Sequence, residues 1–212
     1  MNTSPNLPIR RRQVARSAAS TAAMINAAIE LILEQGARVS MMAIGQRSGF
    51  SHGLVLARFG SKAGLIEAVA HEARRRFAAS FDSEADETTG IEKLRGLIDA
   101  FLSPPSTAAR AFVILLGASL GPDPLLRAVF VRADEALRQY VQVHLEEARS
   151  VGDVDPSTCT SSVAVLLVGM LRGVGMQYCV NPDAFEIEAL RTQGHAFLSS
   201  LGTSKASLAT TP

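Results

Sequence analysis

The sequence lacks most of the features that enzymes, metal sites and membrane spans require. It has two cysteines in 212 residues, no tryptophan, and no CxxC pair or Cys/His cluster, so no metal site is predicted. No nucleophile stands with a recognisable base, so we predict neither enzyme nor cofactor. The longest apolar run, residues 163–171, is well short of the roughly 18 residues of a membrane span. With no apolar segment behind the basic N-terminus, the sequence predicts a soluble, cytoplasmic protein without a membrane partner.

The few chemically reactive side chains also point away from catalysis. Cys159 and Cys179 would lie roughly 30 Å apart on one helix, whereas a disulfide needs Cα atoms about 4.4–6.8 Å apart. We therefore expect two buried thiols that pack as small apolar side chains. His71 opens the segment HEARRRF, which lacks the second histidine of a zinc-protease motif, and is predicted to lie on a helix surface.

Period-two alternation is absent, and the apolar residues repeat at helical spacing, so the predicted fold is all-α. The first stripe consists of Met24, Ala27, Ala28, Leu31 and Ile32. Glycines 36 and 49 end predicted helices, and serines 40, 51 and 61 begin them as N-caps. Asp155-Pro156 predicts the start of the penultimate helix. Residues 202–212 have nothing to bury and are predicted to be a frayed tail.

Charge divides the chain into two parts. Residues 1–78 contain 11 Lys and Arg against 4 Asp and Glu, whereas residues 79–212 contain 10 against 16. A basic N-terminal part is typical of phosphate binding, although a solvated charge run is the alternative. We predict that the two parts, residues 1–80 and 81–212, are domains that face different partners.

The third predicted helix has an outer face almost without charge. At 100° per residue it places Val55 and Phe59 on one side and Gly53, Leu54 and Ala57 on the other. The second helix of a helix-turn-helix lies in the major groove, where small apolar side chains reach base edges and thymine methyls. We interpret this face as the DNA-reading face; packing on another part of the same protein is the alternative.

Four segments carry a resemblance to a known family: MINAAIELILEQG, SMMAIGQRSGFS, HGLVLARFGSKAGLIEAV and LLVGMLRGVGMQY. The first three, within residues 1–78, resemble the DNA-binding domain of TetR-family transcriptional regulators. The fourth resembles the penultimate helix through which these proteins dimerise. The resemblance implies about nine helices and a two-fold homodimer. It also implies a helix-turn-helix DNA-binding domain over 1–80 and a domain over 81–212 that binds a small effector and dimerises.

The resemblance also implies roles for individual residues. Ser40 and Ser51 match hydroxyl positions that can contact phosphate, Arg58 matches a basic or histidine contact, and Lys62 matches a phosphate-binding lysine. Leu56 stands where the family usually has tyrosine, so a hydroxyl contact to the DNA backbone is lost. His52 either donates to DNA or only covers the turn. The predicted DNA-binding residues are Arg10, Arg11, Arg12, Ser40, Ser51, His52, Gly53, Leu54, Ala57, Arg58 and Lys62.

The second domain offers candidates for two further sites. Gly169 and Gly173 allow close approach of two helices and are predicted in the dimer interface, with packing inside one subunit as the alternative. An apolar pocket with a few polar groups would suit an uncharged or weakly polar effector. Its predicted ligand-binding residues, for which an ordinary core role is the alternative, are Phe101, Phe112, Phe130, Tyr140, His144 and Met170.

The sequence thus predicts an effector-responsive transcriptional regulator, a repressor that binds a pseudo-palindromic double-stranded DNA operator as a homodimer. A small apolar ligand would release it. Two other classes of protein stay open: an all-α ligand carrier or enzyme, and a helical adaptor whose basic end binds without specificity for DNA.

Overall fold

The computed structural model of the chain describes residues 7–80, 88 and 90–202, without the side chains of residues 7–10 and 12. Within these residues all regular structure is helical, which confirms the predicted all-α class with nine α-helices. Short 3₁₀ turns lie at Gly36–Arg38 and Pro182–Ala184. The α-helices are α1 (Leu7–Gln35), α2 (Met41–Ser48), α3 (His52–Phe59), α4 (Lys62–Ala78), α5 (Gly90–Phe101), α6 (Thr107–Ser119), α7 (Pro124–Ser150), α8 (Thr160–Val180) and α9 (Ile187–Ser199).

The chain divides into two compact units. The N-terminal unit consists of Met1–Arg75 and Thr107–Val129, and the C-terminal unit consists of Arg76–Ser106 and Phe130–Pro212. Helix α6 and the start of α7 therefore group with the N-terminal helices, although they follow the boundary predicted at residue 80. The division into functional domains at residue 80 stays a prediction.

Three serine hydroxyls begin the helices of the N-terminal unit, as their sequence positions predict. Ser40, Ser51 and Ser61 each accept the backbone N–H three residues further on, at 3.1 Å, 3.2 Å and 3.1 Å. Each bond satisfies one of the N–H groups that the first helical turn leaves without a partner. Gly49 ends α2 in the left-handed conformation with φ +77°, which a residue with a Cβ rarely adopts.

The core of the N-terminal unit is built from the apolar stripes of its helices. Met24 and Ile32 of α1, Ile44 of α2, Val55 of α3 and Leu65 of α4 are all fully buried. The spacing of three and four residues in α1 brings its apolar side chains onto one face, so the predicted stripe from Met24 to Ile32 is confirmed as core.

The core of the C-terminal unit joins α5, α7, α8 and α9. Two glycines allow its helices to approach closely: a Cβ on Gly90 would lie 2.2 Å from the backbone oxygen of His144, and one on Gly194 would lie 2.9 Å from Ile98 Cγ2. Any larger side chain at Gly90 would force α5 away from α7. The side chains buried at the centre include Leu94, Leu97, Val141, Leu145, Leu167 and Leu198.

The predicted start of the penultimate helix is wrong. Helix α8 begins at Thr160, not at Asp155-Pro156. The Asp155 carboxylate accepts the backbone N–H and the hydroxyl of Ser157 at 2.8 Å and 2.6 Å, and its own N–H donates to the carbonyl of Leu201 at 2.8 Å. The same aspartate that could cap a helix therefore closes a turn that is tied to the end of α9.

The prediction that both cysteines are buried is also wrong. Cys159 is exposed at the N-terminal end of α8 and Cys179 is half-buried near its C-terminal end, both as free thiols. Cys159 occupies the N-cap position, outside the apolar stripe, and its sulfur lies 3.4 Å from the Ser161 hydroxyl and 3.2 Å from the Ser162 hydroxyl. These hydrogen bonds lower the pKa of the Cys159 thiol to about 7.

Helix α8 is long and apolar enough, by length and composition alone, to cross a membrane. A single helix of this kind is weak evidence, because helices that pack in soluble proteins have the same composition. Its basic residue, Arg172, is mostly buried and pairs with Asp134 of α7, with 3.0 Å between Nε and Oδ1. Burial lowers the pKa of Arg172 against the opposing effect of that carboxylate.

The predicted tail lies largely outside the described residues, which end at 202.

Candidate DNA-binding surface

The predicted reading face of α3 is exposed in the structure. Val55 is fully buried, whereas Gly53, Leu54 and Ala57 on the opposite side are exposed, Leu54 by 39%. A Cβ on Gly53 would meet nothing within 4 Å, so none of the described residues closes over this point. Leu56, at the position of the family's usual tyrosine, is 43% exposed and extends the apolar face to one side.

The polar residues at the start of α3 lie beside this face. Ser51 accepts the N–H of Leu54 through its hydroxyl oxygen, which leaves the hydroxyl hydrogen able to donate to a phosphate. His52, the first residue of the helix, is exposed. Ser40 is likewise an exposed N-cap, at the start of α2. Two helix N-termini therefore present hydroxyls and partial positive charge to solvent.

Basic residues flank the reading helix. Lys62 is exposed and is the first residue of α4, whose first turn contains no acidic residue. The amine and the helix N-terminus therefore attract an anion at the same place. On α1, Arg11 and Arg16 are exposed, while the side chains of Arg10 and Arg12 lie outside the described part of the chain. Arg58 differs from these residues, because it is half-buried and Nη1 donates to the Ser17 hydroxyl at 2.5 Å.

Two glycines outside the predicted DNA-binding residues hold α3, the reading helix, in place. A Cβ on Gly45 would lie 2.8 Å from the backbone oxygen of Phe50, and one on Gly64 would lie 2.2 Å from that of Phe59. The chain on either side of α3 therefore packs directly against helical backbone. The sequence contains one signal for this packing, which is the presence of glycine inside a helix. Glycine is unfavourable there and usually has a packing reason.

An ion pair outside the core links α2 to α1. Arg47 donates to both carboxylate oxygens of Glu34, each at 2.8 Å, and approaches Glu30 at 3.4 Å. The hydrogen bond from Arg47 lowers the pKa of Glu34. Because Arg47 is engaged with carboxylates of α1, we assign it to the placement of α2 and not to DNA.

The predicted ligand-binding residues do not all fall in one unit. Phe112 belongs to the N-terminal unit, whereas the other five belong to the C-terminal unit. There, Phe101 packs edge-on against Phe77 at 4.7 Å between ring centroids, and Phe130 is buried. Met170 is 44% exposed. The assignment of these six residues to an effector pocket stays a prediction.

A buried histidine with a carboxylate partner lies in the C-terminal unit. His144 Nδ1 is 2.7 Å from Glu147 Oε2, and its ring packs edge-on against Tyr140 at 4.4 Å. The bond to His144 lowers the pKa of Glu147, and Lys93, 4.0 Å away, acts in the same direction. This arrangement can orient a polar group. Among the described residues, no group of His, Cys, Asp or Glu is placed to hold a metal ion.

The glycines predicted at the dimer interface lie on an uncovered apolar face of α8. Among the described residues, nothing lies within 4 Å of a Cβ on Gly169 or Gly173. At 100° per residue they share a face with a set of exposed apolar side chains. These are Val165, Leu166, Met176 and Val180, which are 54%, 62%, 39% and 85% exposed. We call these six residues the α8 stripe.

Comparison with known protein families identifies the family to which this chain belongs. Residues 24–69 match the family described as "Bacterial regulatory proteins, tetR family". Residues 90–203, more than half of the chain, match the family described as "BetI-type transcriptional repressor, C-terminal". The chain belongs to the TetR family of bacterial transcriptional regulators. Membership confirms the resemblance carried by the N-terminal motifs and places the chain among transcription factors, not enzymes.

Individual TetR-family proteins resemble the chain over most of its length. The regulator UidR of Escherichia coli K12 is 26% identical over 154 residues, covering 71% of this chain and 77% of UidR. A TetR-family regulator from Rhodococcus sp. has a TM-score of 0.76 at 16% identity, covering 88% and 100% of the two chains. FadR of Bacillus subtilis in complex with stearoyl-CoA has a TM-score of 0.71 at 16% identity, covering 84% and 97%.

The TetR-family match covers only part of the predicted DNA surface. It includes all the predicted contacts from Ser40 to Lys62, because these fall within residues 24–69. The arginines of the basic arm, Arg10 to Arg12, precede it. The match therefore covers the helix-turn-helix and not the arm, and a contribution of the arm to DNA binding stays a prediction.

Proposed function

We propose that the protein is a cytoplasmic repressor that binds a pseudo-palindromic operator as a homodimer and is released by a small apolar molecule. The observation that carries this proposal is the exposed, uncharged face of α3, which opposes a fully buried Val55. A solvated surface gains nothing from Gly53, Leu54 and Ala57 in this position. A major groove does, because its thymine methyls and base edges accept small apolar side chains.

Backbone contacts would come from the groups around this face. Lys62, Ser51 and Ser40 stand at helix N-termini, and Arg11 and Arg16 are exposed on α1. Such contacts position a protein on DNA without reading its sequence. The effect of α3 on specificity and the effect of these residues on affinity should therefore be separable by experiment.

The α8 stripe supports the homodimer. Its two glycines leave room for a second helix to approach, and its exposed valines, leucine and methionine would be buried by that helix. A second copy of the same stripe satisfies the two-fold symmetry that a pseudo-palindromic site requires. An adaptor or a monomeric ligand carrier would have no need of such a face.

The chemistry of the effector follows from the C-terminal unit. Its interior is aliphatic and aromatic, with His144 and Tyr140 as polar groups inside it. The related FadR binds stearoyl-CoA, which carries a long apolar chain. An apolar molecule would act by favouring a dimer geometry in which the two reading helices no longer fit successive major grooves.

The proposal is tested by selecting duplexes from a randomised library with the full-length protein. We expect enrichment of an inverted repeat whose half-sites lie about one helical turn apart, roughly 10 base pairs, or a multiple of it. Binding to the selected duplex should weaken steeply as salt rises, since phosphate contacts release counterions. If no sequence is enriched, the protein is not an operator-binding regulator and the adaptor interpretation gains support.

The effector is tested with apolar small molecules that raise the melting temperature of the protein. Because linkage is reciprocal, a hit that releases operator must bind more weakly when operator is saturating, by a coupling of roughly 1–3 kcal/mol. A calorimetric titration with and without the selected duplex measures this coupling. If every hit binds equally well in both conditions, a constitutive DNA-binding protein remains.

A further inference from the structure

Arg58 lies at the border between the reading face and the buried side of α3. It is about 40° around the helix from Leu54 of the reading face and about 60° from the buried Val55. The side chain is half-buried, unlike that of Lys62, which is exposed. The protein therefore covers part of this side chain, and its partner decides what it does.

The guanidinium group of Arg58 is bonded to α1. Nη1 donates to the Ser17 hydroxyl at 2.5 Å across 41 residues of sequence. Hydrogen bonds from a charged donor are stronger than those between neutral groups. Both side chains line a cleft of about 480 Å³, in which α1 contributes Val14 and Ala18 and α4 contributes Glu72.

Ser17 is distinguished from the residues around it on α1. Among the described side chains of residues 11–19, it alone is half-buried, whereas the others are exposed. Its carbonyl oxygen also accepts the hydroxyls of Ser20 and Thr21, at 2.9 Å and 2.8 Å. The core contacts of α1 begin only at Met24. The bond to Arg58 thus links the end of the reading helix to the N-terminal half of α1, which carries the basic arm.

We propose that Arg58 is a positioning residue for DNA recognition. Through Ser17 it fixes the N-terminal half of α1 relative to α3, so that the arm meets phosphate while the reading face lies in the groove. The selectivity of the protein for its operator depends on this bond and not on a phosphate contact by Arg58. The inference rests on the proposed DNA-binding function and adds a residue, Ser17, that is not among the predicted DNA-binding residues.

The test measures two affinities for each of four proteins. Wild type, Arg58→Ala, Ser17→Ala and the double variant are titrated, by fluorescence anisotropy over a range of salt, against the duplex selected by wild type and a shuffled duplex. Each single variant should lower the ratio of the two affinities by roughly tenfold, as expected for a lost hydrogen bond to a charged group. The double variant should lose no more than either single variant, because both remove the same bond.

The dependence on salt separates positioning from direct contact. Arg58→Ala and Ser17→Ala should change the salt slope by the same amount, because both release the same arm, whereas a phosphate contact by Arg58 itself would lower the slope by about 0.9 in Arg58→Ala alone. Partial unfolding would reduce both affinities together and leave their ratio unchanged, so the ratio isolates positioning.

Three results would overturn the inference. They are a reduced slope in Arg58→Ala with Ser17→Ala silent, additive losses in the double variant, and no change in the ratio for either single variant. Ser17→Ala alone decides the matter if Arg58→Ala does not fold. If wild type selects no duplex at all, the DNA-binding function itself fails, which is a separate outcome that removes the basis of the inference.

Discussion

At position 62 the chain places an exposed amine directly at the N-terminal end of α4. Lys62→Ala should weaken binding to every DNA sequence by a similar factor, because a phosphate contact carries no sequence information. The slope of log affinity against log salt should fall by about 0.9. Arg110→Ala, which removes an exposed charge from α6, is the matched control and should change neither quantity. A loss confined to the selected operator would contradict the assignment.

Leu54 should act in the opposite way, on specificity. Leu54→Ala is expected to relax preference at one base pair while leaving binding to shuffled DNA nearly unchanged. If the contact is to a thymine methyl, replacing that thymine by deoxyuridine removes one buried methyl, worth about 0.8 kcal/mol. The deoxyuridine penalty should then vanish in the Leu54→Ala protein. Leu125→Ala, which alters another exposed leucine, is the control; an unchanged preference in Leu54→Ala would remove α3 from the groove.

Individual residues were predictable where their signals are local. Ser40, Ser51 and Ser61 cap helices as predicted, because an N-cap bond spans only three residues. Asp155 carries the same kind of signal but closes a turn, since an aspartate before proline suits both structures. The bond from Arg58 to Ser17 had no local signal, because 41 residues separate the two side chains.

Between elements, the contact of α1 with α2 has a pH dependence. The hydrogen bond from Arg47 holds the pKa of Glu34 below its ordinary value of 4.5, so the folded protein favours the carboxylate. The stabilisation is present above the pKa of the unfolded chain and is lost as pH falls through the lower, folded pKa. Glu34→Gln should therefore make the free energy of unfolding fall less steeply below about pH 4.5.

Urea unfolding of wild type and Glu34→Gln at neutral and acid pH measures this difference. Glu30→Gln is the matched control on the same helix, since Glu30 lies 3.4 Å from Arg47, whereas Glu34 lies 2.8 Å from it. We expect Glu30→Gln to change the loss of stability at acid pH less than Glu34→Gln does. If the free energy of unfolding falls equally with pH in wild type and Glu34→Gln, the ion pair contributes nothing to stability. Because both carboxylates are exposed, the effect should also diminish at high salt.

The elements themselves were largely predictable, whereas their grouping was not. Apolar residues at helical spacing, with serine and glycine at the ends, are sufficient to predict α1 to α4. Helix α6 gives no comparable signal of its partner. Its buried Leu115 could equally face either half of the chain in the sequence, and only contacts distant in sequence place it with the N-terminal unit.

For the whole molecule, the α8 stripe predicts an assembly. Gly173→Leu should separate two α8 helices and give a monomer by light scattering, with operator binding lost because the half-sites are no longer held together. Gly117→Leu is the matched control, because Gly117 is, like Gly173, a helical glycine with open space around its Cβ. A Gly173→Leu protein that stays dimeric and binds operator would move the interface to another surface.

The grouping of α6 with α1 has a consequence for protein synthesis. Helix α1 leaves the ribosome before α6, which packs beside it and is not complete until residue 119 has been made. At typical elongation rates of roughly 5–20 residues per second, the forty residues from Ser80 to Ser119 take about 2–8 s to add. During that interval the nascent helix-turn-helix carries an uncovered face. A fragment ending at residue 80 would keep it, and should be less resistant to proteolysis than the same residues in the complete chain.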